Sequence, residues 1–236
     1  MTQEIFPQIT LCIPVLNEEK TLPGLFSNLT SYFEKFMIPF EVVFCLDPSH
    51  DQSEKILCEA SQENPAYRYL VNSKKLGRAC SLMKAIEAAR SPYIASASAD
   101  LSIPLGDITK LLQKMSEANT SISFGSRIDK KDSPFLTSTS KKSRLEITYM
   151  NIFWEQNRRT FKDPFCSAFV LKKEIKDDLF KNLKASGWYL TLNLQDRVLA
   201  KKIPFIEVPV YAAATDRKGF PYYRESLRLF LRSLNF

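Results

Sequence analysis

The sequence predicts an α/β fold: a mostly parallel sheet flanked by helices on both faces. Three observations support it. Short apolar, β-rich runs alternate with segments of helical period along the first half of the chain. Three of those runs end in acids or amides: Ile9–Val15 leads into Asn17-Glu18-Glu19, Val42–Leu46 into Asp47, and the run from Ile94 through Ala97 into Asp100. Polar groups at the C-terminal ends of successive buried strands are what a parallel sheet needs to build one polar crevice. Finally, 236 residues at 44% hydrophobic and 25% charged suit one sizeable globular core.

Taken in order, the strand candidates are Ile9–Val15, Phe40–Leu46, Tyr67–Val71, Tyr93–Ala97 and Ser121–Gly125. Helical periodicity fills the gaps at about Lys20–Phe36, Gln52–Gln62, Arg78–Ala89 and Asp107–Ala118. Asp107 opens its helix with a cap-like residue, and Asn64-Pro65 closes the second helix. Asp129–Ser140 is polar and reads as a loop, and Lys141–Phe161 reads as a long amphipathic helix. Phe165–Leu171 reads as a strand, Lys173–Leu183 and Leu190–Lys201 as helices, and Phe205–Val210 as a last strand. The tail, Tyr222–Phe236, sets Leu227, Leu229, Phe230, Leu231 and Leu234 among Arg224, Arg228 and Arg232, the pattern of a basic amphipathic helix. Its apolar face suits docking on the chain's own core, on a second copy in a homo-oligomer, or on a membrane surface.

Composition excludes several classes. No apolar run approaches the roughly 18 residues of a membrane span. The opening Met1-Thr2-Gln3-Glu4 lacks the basic and apolar regions of a signal peptide, so a cytoplasmic location is expected, peripheral at the inner membrane face if the tail docks there. Cys12, Cys45, Cys58, Cys80 and Cys166 are odd in number and never paired as CxxC, which reads as buried free thiols. With His50 as the single histidine, a zinc site is excluded. The net charge of +7 points to an anionic partner: nucleic acid, an anionic membrane face or a phosphorylated substrate. Nucleic acid is set aside because no interleaved basic and aromatic module is present.

Glycine is scarce, six in the chain against the roughly 7% average, so its placement carries information. Gly77 follows Lys74-Lys75-Leu76, Gly125 precedes Ser126-Arg127, and Gly219 follows Arg217-Lys218. A glycine beside a cation at an element boundary suits close backbone approach to a phosphate; a plain turn beside surface lysines fits equally.

These residues resemble the family 2 glycosyltransferases of the GT-A fold, particularly the dolichyl- or polyprenyl-phosphate sugar transferases. Cys12-Ile13-Pro14-Val15-Leu16-Asn17-Glu18-Glu19 is similar to the family's opening strand and Asn-Glu turn. The segment from Val42 through Asp47-Pro48-Ser49-His50-Asp51 stands where the family holds the nucleotide base. Lys75-Leu76-Gly77-Arg78-Ala79 resembles the loop into the next helix, and Ser98-Ala99-Asp100-Leu101-Ser102 the Asp-x-Asp metal motif. Gly125-Ser126-Arg127, Lys162 through Phe169, and Val208-Pro209-Val210 through Arg217-Lys218-Gly219 resemble later blocks. The chain departs from the family at Ser98, which replaces the first acid of the metal motif, at Leu46, and at Thr191-Leu192-Asn193.

The resemblance implies a single GT-A domain over residues 1–236. About 8–128 would form the nucleotide-sugar half, and about 129–236 the acceptor-side half with the basic tail. It implies inverting transfer of a sugar from a nucleoside-diphosphate donor to a lipid phosphate. The catalytic residues implied are Asp100, Arg127 and Arg217. Substrate-binding residues would be Pro14, Asn17, Glu18, Asp47, Gly77, Arg78, Ser98, Asp163 and Lys218. A divalent ion, Mg²⁺ or Mn²⁺, would sit at Asp100, weakened by Ser98. Fixed cations at Arg78, Arg127, Arg217 and Lys218 offer a second way to stabilise the departing diphosphate. An acceptor phosphate is already ionised at neutral pH and needs no strong general base. Plainer roles stand beside these: strand-end or helix capping for Asp47, Glu18 and Asp100, a turn for Asp163, and solvated surface for the arginines. The substituted acids also motivate an alternative, a relative that binds nucleotide or a partner without turnover.

Overall fold

The structure, a computed structural model, describes residues 8–127, 160–164, 166–183 and 190–211. The expected helix at Lys141–Phe161 falls almost wholly outside the described residues, and the basic tail with Arg217, Lys218 and Gly219 does so entirely.

Among the described residues seven strands form one sheet: β1 (Ile9–Val15), β2 (Phe40–Leu46), β3 (Tyr67–Val71), β4 (Tyr93–Ser96), β5 (Ile122–Ser126), β6 (Phe169–Lys172) and β7 (Phe205–Pro209). Among the described residues the α-helices are α1 (Leu22–Phe36), α2 (Ser53–Glu63), α3 (Arg78–Ala88), α4 (Leu105–Glu117), α5 (Lys176–Phe180) and α6 (Leu190–Ala200). The strand order is β3-β2-β1-β4-β6-β5-β7. All neighbours run parallel except β6, which lies antiparallel to both β4 and β5. Six strands therefore end at one edge of the sheet, and β6 begins there.

The strands read as near-continuous apolar runs because both faces are covered. Alternate residues enter opposite layers. Leu11, Ile13 and Val15 of β1 and Val42, Phe44 and Leu46 of β2 pack with Leu22, Leu25, Leu29 and Phe33 of α1 and with Ile108, Leu111, Leu112 and Met115 of α4. Cys12, Val43 and Cys45 face the other layer, with Ala79, Leu82, Ala85 and Ile86 of α3 and Leu190, Leu194 and Val198 of α6. The four buried α1 positions recur at three- and four-residue spacing, the stripe a core-facing helix needs. Pro14, buried near the end of β1, is tolerated because β4 pairs with β1 only as far as Cys12, so no ladder donor is missing there.

Several local expectations change in three dimensions. Asp107 lies in the first turn of α4, which begins at Leu105 after Pro104. Its carboxylate accepts the Tyr211 amide at 2.6 Å instead of capping the helix. The expected helix Lys173–Leu183 is a short 3₁₀ turn, Lys173–Ile175, followed by α5. The Lys173 amide is tied to the Pro92 carbonyl at 2.7 Å, which anchors that tight turn to the start of β4. The strand placed at Phe165–Leu171 begins at Phe169: just before it, the Cys166 amide turns back to the Asp163 carbonyl at 3.3 Å and the Ser167 carbonyl accepts from Ser96 Oγ. Gly125 lies inside β5, where a Cβ would stand 3.0 Å from both Cys166 Sγ and Val210 Cγ2. Its smallness serves strand packing rather than approach to a phosphate. None of the cysteines forms a disulfide; Cys12, Cys45 and Cys166 are buried while Cys58 and Cys80 are partly exposed.

Candidate active site

The C-terminal edge of the sheet gathers the loops after β1, β2, β3, β4 and β5, and the chain that enters β6. Two of these loops are stitched together. At the end of β1, Asn17 takes a left-handed backbone (φ 55°). Its amide donates to Ser49 Oγ at 3.0 Å, and its side-chain Oδ1 accepts the His50 amide at 2.9 Å. The Glu18 amide donates to Ser53 Oγ at 2.8 Å, the Glu19 amide to Asp51 Oδ2 at 3.0 Å, and the Gln52 amide to Glu19 Oε2 at 3.1 Å. The Glu18 carbonyl then accepts from Leu22 at 2.9 Å, starting α1. Each turn is thus held by hydrogen bonds from the other.

Asp47, at the end of β2 and 2% exposed, serves the next loop. Oδ1 accepts from Asn72 Nδ2 (2.8 Å), Ser81 Oγ (3.0 Å) and the Leu76 amide (3.1 Å); Oδ2 accepts from the Gly77 amide (2.8 Å). Burial works to raise its pKa, but the bonds from Leu76, Asn72, Gly77 and Ser81 outweigh it, leaving the pKa lowered and the carboxylate ionised. Gly77 sits at φ +84°, a backbone that L side chains rarely adopt, and starts α3.

After β4 the chain turns through Ser98–Ser102. Asp100 Oδ1 accepts from Ser98 Oγ at 2.5 Å and from the Ser102 amide at 3.1 Å, and the Ser98 and Ser102 hydroxyls lie 3.0 Å apart. Leu101 carries the turn at φ 45°. Ser98 thus meets Asp100 as a hydrogen-bond donor where the metal motif would have a second acid.

At the end of β5, Arg127 grips Asp163. Its amide and Nε donate to Oδ2 at 2.9 and 2.7 Å, and Nη2 donates to Oδ1 at 2.8 Å. Asp163 is 1% exposed, so this is a buried, bidentate, charge-assisted contact. The Asp163 and Lys162 amides in turn donate to Glu207 of β7 at 3.2 and 2.8 Å. Burial, with Asp163 nearby, raises the Glu207 pKa despite those bonds. Burial also pushes the Cys166 thiol up to about 12, so it is an inert packing group. Arg78 Nη2 reaches Ser167 Oγ at 3.5 Å, linking α3 to the chain entering β6.

Asn17, Glu18, Asp47, Gly77, Arg78, Ser98, Asp100, Arg127 and Asp163 therefore all fall at this one sheet edge; Pro14 lies just behind it in β1. The geometry gives several of them internal partners. Asp47 holds a loop, and Arg127 and Asp163 hold each other. Ser49, Asp51, Ser53, Asn72, Ser81 and Glu207 were not singled out as site residues, yet they fix the site's loops. The Ser-His-Asp-Gln-Ser run carried a readable sign, since Asp51 Oδ1 accepts the Ser53 amide at 3.0 Å at the start of α2.

The Glycosyl transferase family 2 profile matches residues 10–180. The chain belongs to that family. Human dolichyl-phosphate beta-glucosyltransferase is 23% identical over 215 residues, 86% of this chain and 66% of that protein. The chain thus spans just under two thirds of the length of that relative. An undecaprenyl-phosphate 4-deoxy-4-formamido-L-arabinose transferase from Aeromonas hydrophila is 28% identical over 106 residues, 44% of this chain and 32% of that one. Among solved structures, mannosyl-3-phosphoglycerate synthase from Rubrobacter xylanophilus superposes with TM-score 0.68 at 10% identity, covering 97% of this chain and 75% of that chain. Glucosyl-3-phosphoglycerate synthase from Mycobacterium tuberculosis, in complex with Mn²⁺, UDP and phosphoglyceric acid, gives 0.66 at 13% identity, covering 95% and 75%. At such identities the likeness establishes the fold, GT-A, as the resemblance implied.

Proposed function

We propose that this family 2 chain transfers a sugar, with inversion, from a nucleoside-diphosphate sugar to a polyprenyl phosphate. The observation that carries the reading is the convergence of six chain segments at one sheet edge around Ser98–Ser102. This is where an open α/β sheet binds its ligands. The two relatives named for dolichyl and undecaprenyl phosphate support the acceptor class. In the reaction an acceptor phosphate oxygen forms a bond to the anomeric carbon as the bond from that carbon to the diphosphate oxygen breaks. The acceptor oxygen is already anionic, so no protein base has to take a proton.

Mg²⁺ and ions like it are held by one or two carboxylates together with substrate phosphates. Among the described residues no three His, Cys, Asp or Glu side chains gather as a metal site. Asp100, flanked by Ser98 and Ser102, supplies one carboxylate. That donor set fits an ion shared with a bound diphosphate, and when bound the ion would neutralise the leaving group. The protein's own contribution is positional. The β1 and β2 turns are clasped to each other, the Asp47-held loop carries Lys74, Lys75 and Arg78, and Asp163 fixes Arg127. Beyond the described residues, Arg217, Lys218 and the basic tail follow Tyr211 and are proposed to complete the diphosphate and acceptor-side contacts; the tail is proposed to rest on the membrane surface.

Incubation with a panel of UDP- and GDP-sugars, polyprenyl phosphate and Mn²⁺ tests the reading, with glycosyl-phospholipid as the expected product. The absence of both transfer and donor hydrolysis across the whole panel would refute it. Nucleotide binding without transfer would favour the binding-only alternative that Leu46, Ser98 and Asn193 motivate.

A further inference from the structure

The loop between β3 and α3 is held by a relay that begins far from its tip. Asn72, one residue past β3 and 2% exposed, is fixed by its amide to the Leu46 carbonyl at 2.9 Å. Its Nδ2 reaches Asp47 Oδ1 (2.8 Å), Ser81 Oγ (3.0 Å) and Cys45 Sγ (3.4 Å). Its Oδ1 accepts from Lys84 Nζ at 2.8 Å, one turn along α3 from Ser81. Lys84 therefore orients the Asn72 amide, the amide orients Asp47, and Asp47 holds the backbone of Leu76 and Gly77. Just ahead of those two amides stand the exposed Lys74 and Lys75, and just after them Arg78.

Nothing lies within 4 Å of a Cβ placed on Gly77, so packing does not set this backbone. The positive φ is favoured by glycine and held in place from below by the Asp47 carboxylate.

We infer that Asn72 and Lys84 are positioning residues for nucleoside-diphosphate binding, acting through Asp47 on the loop that presents Lys74, Lys75 and Arg78. The inference rests on the donor-binding reading of this edge. It gives Asp47 an indirect part, distinct from contact with the base.

The test uses the full chain and two probes, UDP and GDP, titrated by calorimetry. Amide hydrogen exchange is followed over the peptide containing Leu76 and Gly77, all well below the melting temperature. Lys84→Met removes one charge-assisted hydrogen bond at the surface. It is expected to speed exchange at those amides and to weaken the better-bound nucleotide about 10-fold, with melting nearly unchanged. Lys84→Arg is expected to restore both. Asn72→Ala should act more strongly, but it removes a buried group, so the surface lysine carries the test if that variant does not fold. Unchanged exchange in Lys84→Met, or faster exchange with nucleotide affinity within about two-fold of wild type, overturns the inference alone. Failure of the wild-type chain to bind either nucleotide overturns the donor-site reading and takes this inference with it.

Discussion

Asp163→Asn is the most informative single perturbation of the site. Asp163 accepts three hydrogen bonds from Arg127, and the two side chains are 1% and 17% exposed. Removing one partner of a buried ion pair costs about 3–5 kcal/mol, because the other charge is left uncompensated. The asparagine retains one acceptor oxygen and Arg127 retains some water, so the lower end, about 3 kcal/mol, is expected. For a chain of this size each kcal/mol moves the melting temperature by about 2–4 °C, so a fall of about 6–12 °C should follow. Scanning calorimetry and urea unfolding read this directly. Arg127→Met in the Asp163→Asn background should cost clearly less than the two single changes added together, by about 1–3 kcal/mol. A melting point within about 2 °C of wild type for Asp163→Asn would refute the claim that this pair holds the junction between β5 and the chain entering β6.

Two other outcomes are expected. Ser98→Asp supplies the second carboxylate the turn lacks, so Mn²⁺ should bind more tightly in a nucleotide-free titration, by about 10-fold or more; equal affinity for both proteins would count against Asp100 as the ion's ligand. Glu41 is buried against Thr10, Arg68 and the Arg90 amide; burial raises its pKa, but those hydrogen bonds outweigh it and lower the net value. A carboxyl with a depressed folded pKa stabilises the fold above its unfolded value and loses that contribution as pH falls through the folded one. Wild type should therefore lose more stability than Glu41→Gln as pH drops from about 5 toward 3, measured by urea unfolding at each pH; parallel curves would contradict this.

Much of the first half was legible in the sequence, because each element there carries its own periodic signal. β1, β2 and β3 lie where the apolar runs put them, and α1 to α4 differ only at their ends. The orientation of β6 was not legible: Phe169–Lys172 reads as a strand in either direction, and only its partners β4 and β5 make it antiparallel. The same limit applied at the site. The acids after β1, β2 and β4 announced themselves by following apolar runs, but their hydrogen-bond partners are set by tertiary contacts. Asp47 meets Leu76 and Gly77, some thirty residues on, and Asp163 meets Arg127 across a similar separation. Gly125, with Arg127 close behind it, fits a phosphate-loop glycine and a plain turn equally in the sequence; the atoms that require it, on Cys166 and Val210, are remote along the chain.

The Arg127–Asp163 pair has a consequence for how such a chain can diversify. It ties the residue that follows β5 to one 36 positions further along the chain, shortly before β6. In general, doubling the length of chain between two clamped positions costs only about 0.6 kcal/mol. Stretches of different length and chemistry can then be grafted between those two residues while strand pairing stays intact.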